Sequence, residues 1–546
     1  MPSAWSLAAV AIAGLTLVPI LAVAFAAPLG GIAALQSLAE TVLARYIATT
    51  AALMALTGAL AVVIGTGCAW VVSACEFPGR RVFAWALVLP IAVPSYIAAY
   101  LYADLLDYGG PVQSFWREAM GAGDAFPQIR SLPGAALILA LVLYPYIYLL
   151  ARAAFVSQSP SQFRAARSLG AGPWRAFRQV ALPAARPAIA GGLALVLMEV
   201  LADFGVAEYF ALPTFSTGIF RSWLAMGDRD GAMGLAAIML AFVIALVALE
   251  GATRRGRTFA RDGLDGRARS GPLVKLSAPG KAMAVVACAL PLALGFGIPA
   301  LHLASLAMSK AAMNGAGALA DYVRASLILG AAAGALCCVS ALVLAFARAR
   351  SRGSVLSLVI RLATLGYALP GALLAVGLLA PLGALDQSLT RTLRESTSYS
   401  GGLILTGTSL ILIYALSVRF LTVAYNSVEG GMARIPPALD AAARSLGASP
   451  SRVLWRIYTP LLRPSLLAAL ALVAIDTLRE LPATLILRPF NLETLATRTY
   501  RLASDERLTE ASIPALILLG VGLIPVLLLT RTGARKTTQT VSHSSH

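Results

Sequence analysis

AARSLGAGPWRAFRQVALPAARP, residues 165–187, and AARSLGASPSRVLWRIYTPLLRP, residues 442–464, are one phrase written twice, 277 positions apart, with 12 of 23 positions identical. Each copy is basic, is punctuated by Gly and Pro, and lies in a chain that is otherwise mostly apolar. What flanks the two copies decides the fold.

The chain has 546 residues, 59% hydrophobic and 12% charged. Soluble domains carry about 25% charged residues, so the composition is that of a membrane protein. Stretches long enough to cross a hydrocarbon layer, about 20 helical residues each, occur twelve times. Their approximate spans are 7–27, 47–72, 82–103, 133–156, 189–210, 231–250, 282–308, 323–347, 355–383, 402–424, 466–488 and 511–530. The first ends in VAFAAPLG, small residues that suit a cleavage site, but it lacks a basic n-region and is long for a signal peptide.

Residues 251–281, rich in Gly and Arg, interrupt the apolar pattern and read as a linker. Six spans lie on each side of it, and the repeated phrase falls between spans four and five of each half. The expected organisation is a first repeat over 1–250, a linker over 251–281, a second repeat over 282–530 and a tail over 531–546. Six is even, so both repeats enter the membrane in the same direction. Other pairs support the duplication: AVPSYIAAY (92–100) with ALPGALLAVG (368–377), and MEVLADFG (198–205) with AIDTLREL (474–481).

With the N-terminus inside, 29 of the 43 Lys and Arg fall on the cytoplasmic side, 13 on the other, and Arg479 within span eleven. The net charge of +18 is therefore mostly a sided membrane signal. It needs no nucleic acid. This orientation places both termini and both copies of the phrase in the cytoplasm.

Cys68, Cys75, Cys288, Cys337 and Cys338 lie in or at the ends of apolar runs with no CxxC, and two of the three His, His543 and His546, end a polar tail. Neither a disulfide framework nor a zinc site is indicated, and histidine ligation of a metal is not expected. The chain contains no G-x-x-x-x-G-K-[ST]; Gly280–Lys281 is followed by Ala282. It has no phosphate loop of its own and no catalytic residues.

Each phrase reads as an elbow of two short helices. In the loop 159–188, Ser159, Pro160 and Gln162 suit a helix start, Gly170 a stop, Pro173 a second start and Pro183 its end. In the loop 436–465, Pro436 and Pro437 start a helix, Gly447 ends it, Ser449 and Pro450 start the next, and Pro460 stops it. Three roles fit: arginines resting at lipid headgroups, a helix-turn-helix for DNA, or a docking site for a soluble motor. Tethering between spans obstructs the approach of a duplex.

The phrase resembles the Glu-Ala-Ala loop of binding-protein-dependent ABC importer permeases. Ala165, Ala166, Gly170, Phe177, Val180, Pro183 and Pro187 match its pattern, as do Ala442, Ala443, Gly447, Leu454, Ile457, Pro460 and Pro464. The acidic lead residue is replaced by Arg164 and Ala441, with Asp440 one step earlier. The resemblance implies an all-α, type I importer permease fold in the bacterial inner membrane, with two copies of an ATPase subunit docked at the elbows. ATP and Mg would be bound by those subunits, and this chain would bind no cofactor. Segments 198–223 and 479–511 are similar to fused iron(III) importer permeases, which implies ferric iron delivered by a periplasmic binding protein. Permeases for thiamine, polyamines, sulfate or phosphonates share the elbow.

Within the spans, ionisable residues are costly and mark a cavity or a partner. Glu199 and Asp203 stand four apart on span five, on one helical face; adding 277 gives Asp476 and Glu480 on span eleven. Pseudo-twofold packing would bring the four carboxylates near one path, where a hard cation would find oxygen ligands. The plainer alternative is local neutralisation, with Arg479 beside Glu480. External segments 104–132, 211–230 and 488–510 carry Asp104, Asp107, Asp228, Asp230, Asp505 and Glu506 and are candidates for receiving the binding protein. The rival from another class is an ion-coupled secondary transporter of two parallel six-span halves, to which the two elbows are foreign.

Overall fold

The computed structural model describes residues 4–29, 32–120, 126–158, 168–258, 274–309, 318–350, 353–397 and 401–542. Among them, ten helices are long and apolar enough to cross a membrane, and two bent helix pairs bring the number to twelve. Each corresponds to one of the twelve apolar stretches in the sequence. In lipid only a helix or a closed barrel satisfies its own backbone, so this much follows from composition.

The first half comprises α1 (Ala4–Leu29), α2 (Leu43–Ala74), α3 (Arg80–Ala86), α4 (Ser95–Leu106), α5 (Pro111–Met120), α6 (Leu132–Ser157), α7 (Leu182–Ala202), α8 (Gly205–Tyr209) and α9 (Arg229–Thr258). The second comprises α10 (Ala278–Leu292), α11 (Ile298–Ala307), α12 (Leu319–Arg350), α13 (Ser354–Ala363), α14 (Gly371–Ser396), α15 (Ser409–Met432), α16 (Pro437–Ser445), α17 (Arg463–Arg479), α18 (Pro482–Leu487) and α19 (Leu508–Ser542). A two-stranded parallel sheet joins β1 (Cys75–Glu76) to β2 (Val274–Lys275). It fastens the far end of the linker to the loop between spans two and three. Residues 259–273 of the linker lie outside the described residues.

Span three, 82–103, and span nine, 355–383, both break at a proline. Pro94 and Pro370 cap the helices that follow them, and the preceding residues, Val93 (ψ 117°) and Leu369 (ψ 124°), are extended. A residue before proline is driven out of the helical region by the ring, so the same break recurs in both halves.

The packing units do not coincide with the sequence repeats. One unit gathers Met1–Leu43, Gly218–Leu240 and Gly317–Arg498; the other gathers Ala44–Thr217, Ala241–Ala316 and Thr499–His546. Each half therefore sends its opening helix, and at least part of its closing helix, into the other half's unit. In the first unit, α1 packs on the second-half helices α12, α13 and α14. Trp5 meets Phe346 edge-on at 5.0 Å, and the Tyr414 hydroxyl donates to Leu15 O at 2.5 Å. In the second unit, α11 packs on α19 and α4.

Small residues let the inner helices approach closely, the usual device where lipid removes the hydrophobic drive to pack. A Cβ on Gly192 of α7 would stand 2.8 Å from the Ile147 Cα of α6. In the other unit a Cβ on Gly334 of α12 would stand 2.8 Å from Leu470 Cδ1 of α17.

Candidate functional site

Both elbows are built around a left-handed glycine. Gly170 has φ +84° and Gly447 has φ +76°. At the second, the Ala448 N–H donates to Ala443 O and the Leu446 N–H to Ala442 O, which satisfies carbonyls left over at the end of α16. Nothing lies within 4 Å of a Cβ at either position, so the backbone conformation alone requires glycine. The residue before each glycine is a leucine pointing outward: Leu169 is 88% exposed and Leu446 is 87% exposed. Arg164, Ala165 and Ala166 lie outside the described residues. Their counterparts are described: Ala443 is buried, Ala442 is exposed, and Asp440 stands 3.7 Å from the Arg350 guanidinium at the end of α12.

The second arm of each elbow is anchored inward. Phe177 is buried against Trp70 of α2 at 4.7 Å and Phe155 of α6 at 6.2 Å, while Trp174 beside it is exposed. Leu454, the equivalent of Phe177, is fully buried. Ser449 accepts from the Arg452 N–H and caps the second arm.

Pro183 does not end its arm as the sequence suggests, whereas the second arm does end at Leu461, one residue past Pro460. The turn before each proline widens: the Leu182 N–H donates to Phe177 O and the Thr459 N–H to Leu454 O, five residues back. Widening moves the carbonyl that the proline ring would strike, so the backbone passes the proline itself in helical form. In the first copy, Trp174–Ala202 runs on as one stretch of 29 residues; in the second, Pro450–Leu461 meets α17 at 74°.

The acids are arranged differently from the expectation of one helical face. Spans five and eleven both break at their second acid. Asp203 (ψ 128°) and Glu480 (ψ 123°) are extended and follow the last residues of α7 and α17. Each carboxylate then caps the short helix that follows. Asp203 Oδ1 accepts from the Val206 and Ala207 N–H groups at 3.0 and 3.3 Å. Glu480 accepts from the Ala483 and Thr484 N–H groups, both at 3.0 Å, and from the Thr484 hydroxyl at 2.9 Å. A carboxylate at a helix N-terminus meets free N–H groups and the positive end of the dipole. Glu199 and Asp476 remain on α7 and α17, both partly buried.

The break prolines bring a second element to each junction. Ser95, just after Pro94, donates its hydroxyl to Asp203 Oδ2 at 2.7 Å. Gly371, just after Pro370, lies against Glu480, and the Arg419 guanidinium of α15 stands 3.7 Å from Glu480 Oε1. Local neutralisation thus operates at Glu480, through Arg419. Sequence reading missed Ser95, Gly371 and Arg419. The signal was the pairing of PS at 94–95 with PG at 370–371, which was visible but not connected to the acids. Among the described residues there is no group of three or more His, Cys, Asp and Glu suited to a metal ion.

Comparison with known proteins matches this architecture twice. The family of binding-protein-dependent transport system inner membrane components matches residues 61–250 and 339–539. The Fe(3+)-transport system permease protein FbpB 2 of Haemophilus influenzae is 25% identical over 492 residues, 90% of each chain. The molybdenum transport system permease protein ModB of Escherichia coli is 29% identical over 182 residues, 32% of this chain and 78% of its own. The sulfate transport system permease protein CysW of Escherichia coli is 31% identical over 176 residues, 32% of this chain and 58% of its own.

Proposed function

Since this chain belongs to the family of binding-protein-dependent transport system inner membrane components, we propose that its two elbows receive two copies of an ATPase subunit and that its cargo is ferric iron. It is a multi-pass ABC importer permease with both repeats in one polypeptide. The observation that carries the coupling role is the matched pair of outward leucines, Leu169 and Leu446, each set beside a left-handed glycine on an inwardly anchored arm. An exposed apolar side chain on a short helical elbow is what a hydrophobic groove on a partner receives.

In this reading a periplasmic binding protein delivers the cargo to the side opposite the elbows. ATP and Mg bind the partner subunits, and closure of those subunits moves the elbows. In the first half the elbow's second arm is continuous with the helix that ends before Asp203, and in the second it joins at a 74° bend the helix that ends before Glu480, so a push on either elbow is passed toward an acid junction. The likeness to the iron permease of Haemophilus influenzae supports the cargo, as do carboxylates at corresponding places in both halves, since hard cations favour oxygen. Glu199, Asp203, Asp476 and Glu480 are the proposed lining of the cargo's path.

The cargo reading is tested by iron uptake into proteoliposomes containing the full complex. Amide replacement of the four acids (E199Q, D203N, D476N, E480Q) is expected to abolish uptake while the assembled complex still hydrolyses ATP. Full uptake by the correctly inserted amide variant overturns the role of the acids. Uptake of molybdate or sulfate in place of iron reassigns the cargo.

A further inference from the structure

The helix α5, PVQSFWREAM, is amphipathic in the opposite sense to a helix packed on a water-soluble protein. Val112, Phe115, Trp116 and Ala119 recur at i, i+3, i+4 and i+7 and form one face, and all four are exposed, Phe115 at 72%. The polar face turns inward except at Glu118, which is exposed on its flank. Gln113, Ser114 and Arg117 are half-buried. Arg117 donates to Tyr108 O at 2.6 Å and to the Ser114 hydroxyl at 3.2 Å, and its guanidinium lies 4.0 Å from the centre of the Tyr108 ring. A helix that satisfies its polar side against its own chain and presents aromatic rings outward is surrounded on that side by an apolar medium.

Connectivity identifies that medium. Four residues separate α5 from the end of α4, and α6 then crosses to the first elbow, so α5 lies on the membrane face opposite that elbow, within reach of the bilayer. Phe, Trp and Tyr together are the composition of the layer between headgroups and acyl chains. Just before α5, the Asp104 carboxylate contacts His302 Nε2 at 2.6 Å. That contact fastens α4 to α11, a membrane helix whose Ile298, Leu301 and Met308 are also exposed.

We propose that α5 is an interfacial anchor, lying along the leaflet opposite the elbows with Val112, Phe115 and Trp116 among phospholipid acyl chains. This gives part of the segment 104–132 to lipid and not to the delivering protein. The anchor would hold the connection that contains Arg130, which donates to Asp107 at 2.6 Å and to the Tyr209 hydroxyl at 3.1 Å. Tyr209 ends α8, the short helix capped by Asp203. The inference does not depend on which solute is carried.

The test uses the full-length protein in nanodiscs of phosphatidylethanolamine and phosphatidylglycerol, with or without acyl-brominated phosphatidylcholine. Phe115→Trp adds a fluorophore on the exposed face, and its added emission is expected to fall at least twofold with brominated lipid and to resist aqueous iodide. Glu118→Trp, on the other face, is expected to behave in reverse. Trp116→Phe gives an independent reading, because the emission it removes should be the lipid-quenched part. Iodide quenching of the residue-115 emission without quenching by brominated lipid overturns the proposal. So does an emission that becomes shielded only when a periplasmic binding protein is added.

Discussion

Ser95 and Asp203 form a 2.7 Å hydrogen bond that ties the break in span three to the break in span five. At the corresponding place in the second half the pair is Gly371 and Glu480. One side chain has shortened as the other has lengthened. A Cβ on Gly371 would fall 2.5 Å from Glu480 Oε1 and 3.0 Å from the Ala483 N, so the longer acid occupies the room that the missing side chain leaves.

The exchange predicts a coupled pair. Gly371→Ser is expected to displace the Glu480 carboxylate from the N-terminus of α18, with loss of thermal stability in detergent. Gly371→Ser combined with Glu480→Asp recreates the first-half pair and is expected to recover most of the loss, a coupling of about 1–3 kcal/mol by double-mutant cycle. Additive effects of the two changes would contradict the size-exchange account.

The two aromatic residues of the first elbow are expected to separate stability from coupling. Phe177→Ala removes a ring packed on Trp70 and Phe155 and is expected to cost about 4 kcal/mol, seen as a lower unfolding temperature. Trp174→Ala, at an exposed position, is expected to change stability by no more than about 0.5 kcal/mol.

Asp386 is fully buried, and its carboxylate accepts from the Ile404, Leu405 and Thr406 N–H groups and from the Thr406 hydroxyl. It fastens the connection after α14. Asp386→Ala leaves those donors without their acceptor and is expected to cost about 3 kcal/mol. Hydrogen exchange at residues 404–406 should rise in the variant; unchanged protection would show that the carboxylate is dispensable there.

Much of the fold was legible because it follows from length and repetition. Twelve apolar stretches gave twelve membrane segments, and Gly170 and Gly447 take the positive φ that their place in the phrase calls for. The failures share a cause: local signals were read without their surroundings. Pro183 carries a stop signal, but a widened turn absorbs the ring, and only the second arm stops, just past Pro460. Asp203 and Glu480 read as helical by their spacing from Glu199 and Asp476, yet each leaves the helix to cap the next one. Arg419 lies on another helix, 61 residues before Glu480, and nothing local in the sequence joins them. The exchange of opening helices between packing units was equally invisible, since apolar periodicity tells that a helix is buried and not by what.

The central claim is that the two elbows are handles for separate ATPase subunits, and Leu169→Asp with Leu446→Asp tests it most directly. Both residues are exposed, so the spans should remain folded. The account predicts that the double variant no longer co-purifies with its ATPase and that ATP-driven uptake into proteoliposomes is lost. Undiminished association and uptake by that variant would contradict it.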